Sequence, residues 1–370
     1  MKSWNNLWDN FLSEDNIRLA IKNAARGKVK KRYDVKRALK DVDGYVKYIK
    51  HYAENFRNDK HNPIEIYDGI TRKKRTIIVP TFRELVVQHM LINVLKPVFL
   101  QGVYERTYGS IPKRGAHEGK KYIEKWIRHD VKNCKYCLKL DIKKYFENIS
   151  HDILKTKLSR VIKDKKILSI LYEVTNATDN GLPLGFYTSQ WLSMWYLKDF
   201  DHYVKEKLYA PHYMRYADDI VIFGANKRKL WKTFEEIKKY LGDLGLELNR
   251  KSQMFRFVYT KHGMEYGRDL DFMGFRFFRN RTIIRRSIYY KMMRKARKIS
   301  KKSKITIFDI RQMLSYLGWL KSTDVYKMYV KYIKPFFEVR KAKKRISNYD
   351  RRKARYELEK SKQQQRHKTA

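Results

Sequence analysis

Apolar positions in the first sixty residues recur at helical spacing. Trp4, Trp8 and Phe11 fall at i, i+4 and i+7, and Ile17, Leu19, Ala20 and Ile21 follow Ser13, a residue suited to cap a helix. The pattern predicts a helical N-terminal segment over residues 1–60. Turn-forming Asn58, Asp59, Asn62 and Pro63 then give way to alternation. Ile64 and Ile66 form one limb of a predicted hairpin and Ile77 and Val79 the other, flanking Asp68-Gly69 and a basic tip from Arg72 to Arg75. Helices are predicted over 83–101 and 115–129. In CLKLDIKKYFENIS at 137–150, Leu138, Leu140 and Ile142 share one face of a strand, which turns Asp141 to the other face near the strand's end.

Further along, Met214 to Tyr216 and Ile220 to Phe223 predict two short strands, with Ala217-Asp218-Asp219 as the tight turn that lifts carboxylates to the hairpin tip. An Asp-Asp pair in a turn is commonly just solvated. The acidic strand upstream changes its meaning. Nucleotidyl transfer needs two divalent ions that activate a 3′ hydroxyl and stabilise the leaving pyrophosphate, held by hard oxygen ligands on rigid neighbouring strands. Asp141, Asp218 and Asp219 are therefore the candidate catalytic and metal-binding residues. Side chains alternate along a strand, so the two hairpin aspartates cannot serve equally. Asp218 is taken as the bridging ligand and Asp219 as the weaker one.

The remaining segments alternate loops with amphipathic helices. A Pro-Gly loop at 181–185 precedes a helix expected to start near Thr188 or Ser189. Leu230, Phe234, Ile237 and Leu241 mark one face of a helix over 228–243, and a strand is expected over 244–252. Residues 285–304 hold ten Lys or Arg and no acid, with Ile288, Met292 and Met293 interleaved. That composition predicts a basic helix for a duplex backbone; a membrane-surface helix would need a broader apolar face. Residues 307–337 predict two or three short helices broken near Gly318 and Ser322. The tail from Arg340 to Ala370 has thirteen Lys or Arg against three acids, a flexible arm or a frayed helix that orders on RNA.

Composition adds scale and charge. At 370 residues, 43% hydrophobic and 14% aromatic, the chain can bury a substantial core across several subdomains. Eighty-five Lys and Arg against thirty-nine Asp and Glu give a net charge of +46, which predicts salt-sensitive binding to phosphate backbones without choosing between RNA, DNA and a membrane surface. No run of about eighteen apolar residues occurs and the N-terminus lacks a signal-peptide core, so a soluble cytoplasmic protein with no membrane partner is expected. The two cysteines, Cys134 and Cys137, lack further zinc ligands and a redox context. They read as incidental thiols in a reducing compartment.

The Asp141 strand with Tyr145-Phe146 behind it, GLPLGFYTSQ at 181–190, YADD at 216–219, LGLELNRKS at 244–252 and FMGFRF at 272–277 stand in the order of the reverse transcriptase blocks. KKRTIIVPTFRELVVQHML at 73–91 and YGSIPKRGAHEG at 108–119 look like the fingers blocks of bacterial reverse transcriptases. The chain thus resembles that family over about residues 60 to 335. Where the family commonly has Gln-Gly…Ser-Pro, this chain has Leu184-Gly185…Ser189-Gln190. That variant resembles reverse transcriptases of diversity-generating retroelements, which copy a template RNA with frequent errors at adenine. Defence-associated bacterial reverse transcriptases share the same core.

The resemblance implies an α+β, right-hand polymerase fold with fingers, an antiparallel-sheet palm and a helical thumb. The expected boundaries are a helical extension at 1–60, fingers and palm at 61–280, thumb at 281–338 and a basic tail at 339–370. It implies RNA-directed DNA synthesis with two Mg²⁺ ions, or Mn²⁺ in their place. Lys74, Arg75 and Arg83 are nominated for the nucleotide's triphosphate, Phe146 as the aromatic that excludes a 2′ hydroxyl, and Gly185 and Gln190 for the nucleotide site, Gly185 by letting backbone approach the template and nascent base pair. Lys251 matches a lysine thought to protonate pyrophosphate, with a solvated strand end as the other reading. Tyr216, Ala217, Arg114 and Gly274, the last in a tight hairpin resembling the primer grip, are nominated for primer and template. Implied partners are template or noncoding RNA, nascent cDNA, deoxynucleoside triphosphates and an accessory protein, in a bacterial or phage-encoded cytoplasmic setting. The contrasting class is a catalytically idle RNA-binding scaffold.

Overall fold

The computed structural model describes residues 3–29, 32–67 and 74–369. The chain divides into two compact units, residues 1–257 and 258–370.

In the first unit the N-terminal stripe is helical from Trp8 onward, whereas Trp4, expected on the same helix, instead forms an isolated parallel bridge with Ile162, and Asn6 at φ +55° separates the two. Helices Trp8–Leu12 and Glu14–Ala25 meet at Ser13, whose hydroxyl accepts from the Asn16 N–H at 3.3 Å. Phe11, Ile17, Ala20 and Ile21 are buried, whereas Leu19 is 48% exposed because it falls off the 100° stripe. These residues share one hydrophobic core with the long helix Phe82–Leu100, which Thr81 and Glu84 start with a reciprocal capping box. Strands β1 (Ile64–Tyr67) and β2 (Lys74–Ile77) pair antiparallel with Ile64 opposite Ile77. Of the expected turn and basic tip, residues 68–73 lie outside the described residues, while Lys74 and Arg75 belong to β2.

The centre of the unit is a five-stranded sheet in the order β3-β5-β6-β4-β7, comprising β3 (Thr107–Tyr108), β4 (Tyr136–Asp141), β5 (His212–Tyr216), β6 (Asp219–Gly224) and β7 (Gln253–Arg256). All neighbours are antiparallel except β3 and β5, which run parallel, so the expected antiparallel sheet is mixed at one edge. Leu138, Leu140, Ile220, Val221 and Ile222 are buried, as central strands require. Cys134 and Cys137 are buried thiols.

Two local expectations are corrected. The segment 244–252 is not a regular strand: Leu248 makes a single bridge to Ile142, Asn249 turns the chain by accepting the Lys251 N–H, and the ladder resumes only at β7. The helix after the Pro-Gly loop starts at Tyr187, with no side-chain cap. Ser189 is already inside it, its hydroxyl donating to the Pro183 carbonyl at 2.8 Å.

The second unit has its own sheet, β10 (Leu270–Phe272), β11 (Phe275–Phe277) and β12 (Thr282–Ile284), after a small hairpin of β8 (Tyr259–Lys261) and β9 (Met264–Tyr266). The basic helix, Arg286–Ser300, buries Ile288, Tyr289, Met292, Ala296 and Ile299 against Ile310, Met313 and Leu317 of the helix Ile307–Leu320. Gly318 lies inside that second helix, and the break comes at Ser322 as expected. From Val339 to Thr369 the tail is helical, tied back by an Arg311–Asp350 ion pair of 2.6 Å. No helix among the described residues is long and apolar enough to cross a membrane.

Candidate active site

The register of the central sheet brings the sequence-nominated carboxylates together. Asp141 is the Cα partner of Asp219 across β4 and β6, so both side chains leave the same face of the sheet. Asp218 sits in the two-residue connection between β5 and β6, where Ala217 has φ +54° and Tyr216 pairs directly with Asp219. The turn is fastened to the end of β4, since the Ile142 N–H donates to the Asp218 carbonyl at 3.3 Å. On its other side the Asp141 carbonyl accepts from the Asn249 N–H at 2.7 Å. All three aspartates are half-buried.

A buried ion pair behind the hairpin, missed at the level of sequence, holds it in place. Arg215 and Asp201 are both 0% exposed. The guanidinium forks onto the carboxylate through Nε and Nη2, each at 2.6 Å, and its Nη1 donates to the Ala217 carbonyl in the turn at 3.0 Å. Asp201 also accepts from the hydroxyls of Thr107, at 2.8 Å, and Tyr213. Burial alone would lower the Arg215 pKa, but the charge and hydrogen bonds of Asp201 outweigh it and hold it above its ordinary value. On the parallel edge, the Ala217 N–H donates to the Tyr108 carbonyl at 3.0 Å. Tyr216 is raised, first by burial and then by the negative charge of Asp219.

Phe146 follows β4 in a short 3₁₀ turn, edge-on to the fully buried Tyr145 ring. Its carbonyl accepts from Leu182 at 2.7 Å, which ties the turn to the Pro-Gly loop. That loop is tied in turn to the residue that follows β2, because the Ile78 N–H donates to the Leu184 carbonyl at 2.7 Å. Gly185 has φ +114°, and a Cβ there would lie 2.2 Å from the Ile78 carbonyl oxygen. The close approach that Gly185 permits within the chain is therefore to Ile78 backbone.

Other nominated residues are more dispersed. Lys74 pairs with Glu65 at 2.7 Å, and Arg75 stands opposite Ile66. Arg83 is engaged by Asp59, through Nε at 3.0 Å and also through Nη2, and it donates to the Tyr48 hydroxyl at 2.9 Å. Arg114 donates to the Tyr104 carbonyl at 3.0 Å, stitching its own loop. Gln190 is exposed on the helix Tyr187–Tyr196, and Lys251 is exposed in the Asn249 turn. In the second unit, Met273 and Gly274 both have positive φ in the turn between β10 and β11, and a Cβ on Gly274 would lie 2.9 Å from the Trp319 ring. The tight hairpin is thus present, and its glycine makes room for Trp319.

A family profile described as Reverse transcriptase (RNA-dependent DNA polymerase) matches residues 59–319. The chain belongs to this family. Its α+β architecture is accordingly the right-hand polymerase fold of reverse transcriptases. It is 23% identical over 268 residues to Protein YkfC of Escherichia coli (strain K12), covering 60% of this chain and 66% of that protein. It is 23% identical over 211 residues to the Retron Ec73 reverse transcriptase of Escherichia coli, covering 52% and 64% respectively. Against the Group II intron-encoded protein LtrA of Lactococcus lactis subsp. cremoris the identity is 26% over 144 residues, covering 36% and 23%. The chain therefore spans less than two thirds of the length of each of these relatives.

Reverse transcriptases use divalent metal ions, and the donor set here suits one. Two carboxylates share a sheet face and a third lies in the adjoining turn, all hard oxygen donors on short, tightly bonded backbone. Among the described residues no group of three or more His, Cys, Asp or Glu side chains is by itself arranged to hold a metal ion. Mg²⁺ is ordinarily held by one or two carboxylates together with substrate phosphates and water, and an open aspartate pair fits that habit.

Proposed function

We propose that this chain is an RNA-directed DNA polymerase that extends a primer 3′ hydroxyl with deoxynucleotides on an RNA template. The observation that carries the proposal is the register that sets Asp141 opposite Asp219, with Asp218 in the turn bonded to the end of the same strand. Asp141, Asp218 and Asp219 would hold two Mg²⁺ ions, or Mn²⁺ in their place, with Asp218 the principal ligand of the hairpin and Asp219 the weaker one. When bound, the ions neutralise charge at the reacting phosphate. Phe146 abuts the sugar's 2′ position. Lys74, Arg75 and Arg83 serve the triphosphate, Lys74 and Arg83 by exchanging Glu65 and Asp59 for phosphate oxygens. Lys251 supplies a proton toward pyrophosphate; Gly185 and Gln190 line the nucleotide site; Tyr216, Ala217, Arg114 and Gly274 position primer and template. Residues 281–338 act as the thumb and the basic tail as an arm for RNA.

Primer extension on an RNA template tests this. Wild-type protein is expected to extend the primer, and Asp141→Asn and Asp218→Asn to abolish extension, with Asp219→Asn retaining more. A wild-type chain that binds RNA but extends nothing would make it a scaffold. Asp219→Asn as damaging as Asp218→Asn would overturn the ranking of the two.

The Leu184-Gly185…Ser189-Gln190 loop supports a place in a diversity-generating retroelement, in a bacterial or phage-encoded cytoplasmic setting with an accessory protein. Sequencing cDNA made on a defined template should then find errors concentrated at template adenines. Errors spread over all four bases, or untemplated repeats, favour a defence system working with a noncoding RNA. Sequencing RNA that copurifies with the protein identifies the template.

A further inference from the structure

In the first unit a cleft of about 900 Å³ opens between the helix Tyr33–Ala38, the helix Val42–Glu54 and the start of the helix Phe82–Leu100. Its wall is aromatic. Tyr45 stacks on Phe82 with ring centres 5.7 Å apart and planes 15° from parallel, and Tyr48 lies 5.6 Å from Tyr45. Tyr48 also stacks on Tyr52, planes 8° apart, and the Arg83 guanidinium sits 4.6 Å over the Tyr52 ring. Hydrogen bonding between Arg83 and the Tyr48 hydroxyl fixes this ladder of rings.

What the cleft leaves open is as informative as what it packs. Tyr33 on the rim is 81% exposed, so its ring meets solvent at a concave surface, while Tyr48, 44% exposed, is packed between Tyr45 and Tyr52. The acids lining the cleft are committed: Asp34 to Arg32 and the Val35 N–H, and Asp41 to the Gly44 N–H that it caps. The side chains of Arg37 and Lys40, exposed on the same rim, make no hydrogen bond or ion pair among the described residues. An exposed ring beside uncommitted cations suits a ligand that alternates flat apolar groups with anions. A nucleic-acid single strand has that composition. A duplex keeps its bases stacked on each other and offers only phosphates, and an acidic peptide would use the cations but leave the ring wet.

We propose that this cleft binds single-stranded nucleic acid, stacking an unpaired base on Tyr33 and seating phosphates on Arg37 and Lys40. The site needs no chemistry at the aspartates, so it stands or falls apart from the polymerase proposal. Because a chain of net charge +46 binds phosphate over much of its surface, the test must change a ring and not only a charge. Full-length protein in EDTA is titrated into a short fluorescein-labelled oligoadenylate, and separately into a blunt RNA duplex, and anisotropy is recorded. Tyr33→Ala, a substitution at an exposed side chain, is expected to weaken oligoadenylate binding roughly tenfold, the worth of about one stacked base, and to leave duplex binding unchanged. Tyr33→Phe should restore it. Arg37→Gln with Lys40→Gln should lower the slope of log affinity against log salt by about 1 to 2 for the oligoadenylate. Wild-type affinity in Tyr33→Ala, or an equal loss for the duplex, overturns the proposal.

Discussion

Asp201→Asn tests how the aspartate hairpin is held. The substitution keeps the size of the side chain and one acceptor oxygen but removes the charge facing Arg215, which is 0% exposed and has no water to fall back on. Breaking a buried ion pair from one side costs about 3–5 kcal/mol, because the surviving charge is stranded. That is a large share of a domain stability of roughly 5–15 kcal/mol. For a unit of this size each kcal/mol moves Tm by roughly 2–4 °C, so a fall of roughly 6–20 °C is expected in thermal unfolding.

Stability alone would not separate a core fastening from a positioning device, and the contact to the Ala217 carbonyl does. Asp201→Leu combined with Arg215→Met removes both charges and should recover much of the lost Tm, since apolar replacements of buried pairs are often neutral or better. The recovery stays incomplete by about 1 kcal/mol for each hydroxyl, Thr107 and Tyr213, that loses its acceptor. The turn carbonyl would still lack its donor, so primer extension should stay depressed and need more Mg²⁺ even where the protein is folded. Two results would refute this account: Asp201→Asn melting within a few degrees of wild type, or the double variant extending primers at the wild-type rate and Mg²⁺ requirement.

Gly185→Ala places a methyl 2.2 Å from the Ile78 carbonyl oxygen at φ +114°, so a loss of at least about 1–3 kcal/mol in denaturant unfolding is expected; an unchanged midpoint would show that the loop shifts freely. His89, stacked on Tyr187, is pushed down to about 4, first by burial and then by the charge of Lys28. The unfolded chain takes up that proton near its ordinary 6.5, so stability is lost as pH falls from about 6.5 to about 4; His89→Phe should flatten this acid limb by about 2 kcal/mol near pH 4.5, and a parallel limb would sink the assignment. Phe146→Val should raise ribonucleotide incorporation relative to deoxynucleotide by roughly tenfold to a hundredfold in single-nucleotide extension, whereas unaltered sugar selection would leave Phe146 as packing alone.

The parts of the site legible in the sequence are those whose signal is local. Period-two burial around Leu138, Leu140 and Ile142 marks β4, and YADD between two short β-prone runs marks the hairpin, because a two-residue turn dictates its own register. Signals that depend on a distant partner mislead or stay silent. Thr188 and Ser189 look like helix caps, but Ser189 spends its hydroxyl on Pro183. The alternation of Leu244, Leu246 and Leu248 indicates extended backbone, yet Asn249 turns the chain and the strand forms only at Gln253–Arg256. Arg83 reads as a cation for phosphate, and nothing local in the sequence signals that Asp59 also engages it.

Arg215 is the most instructive miss. In a chain with eighty-five Lys and Arg, one more arginine beside an acidic motif looks like surface charge. Its strand, however, has neighbours on both sides, with Tyr213 and Met214 also buried, so no residue of that stretch can reach solvent. An arginine confined there must find an acid, and Asp201 on the preceding helix is the acid it finds. The inference available from sequence is conditional: once the YADD hairpin is placed in the middle of a sheet, the cation one residue before Tyr216 has to be paired from behind. Such a pairing makes the position of the turn a property of the core, so the aspartates of the hairpin inherit their placement from a charge buried behind them.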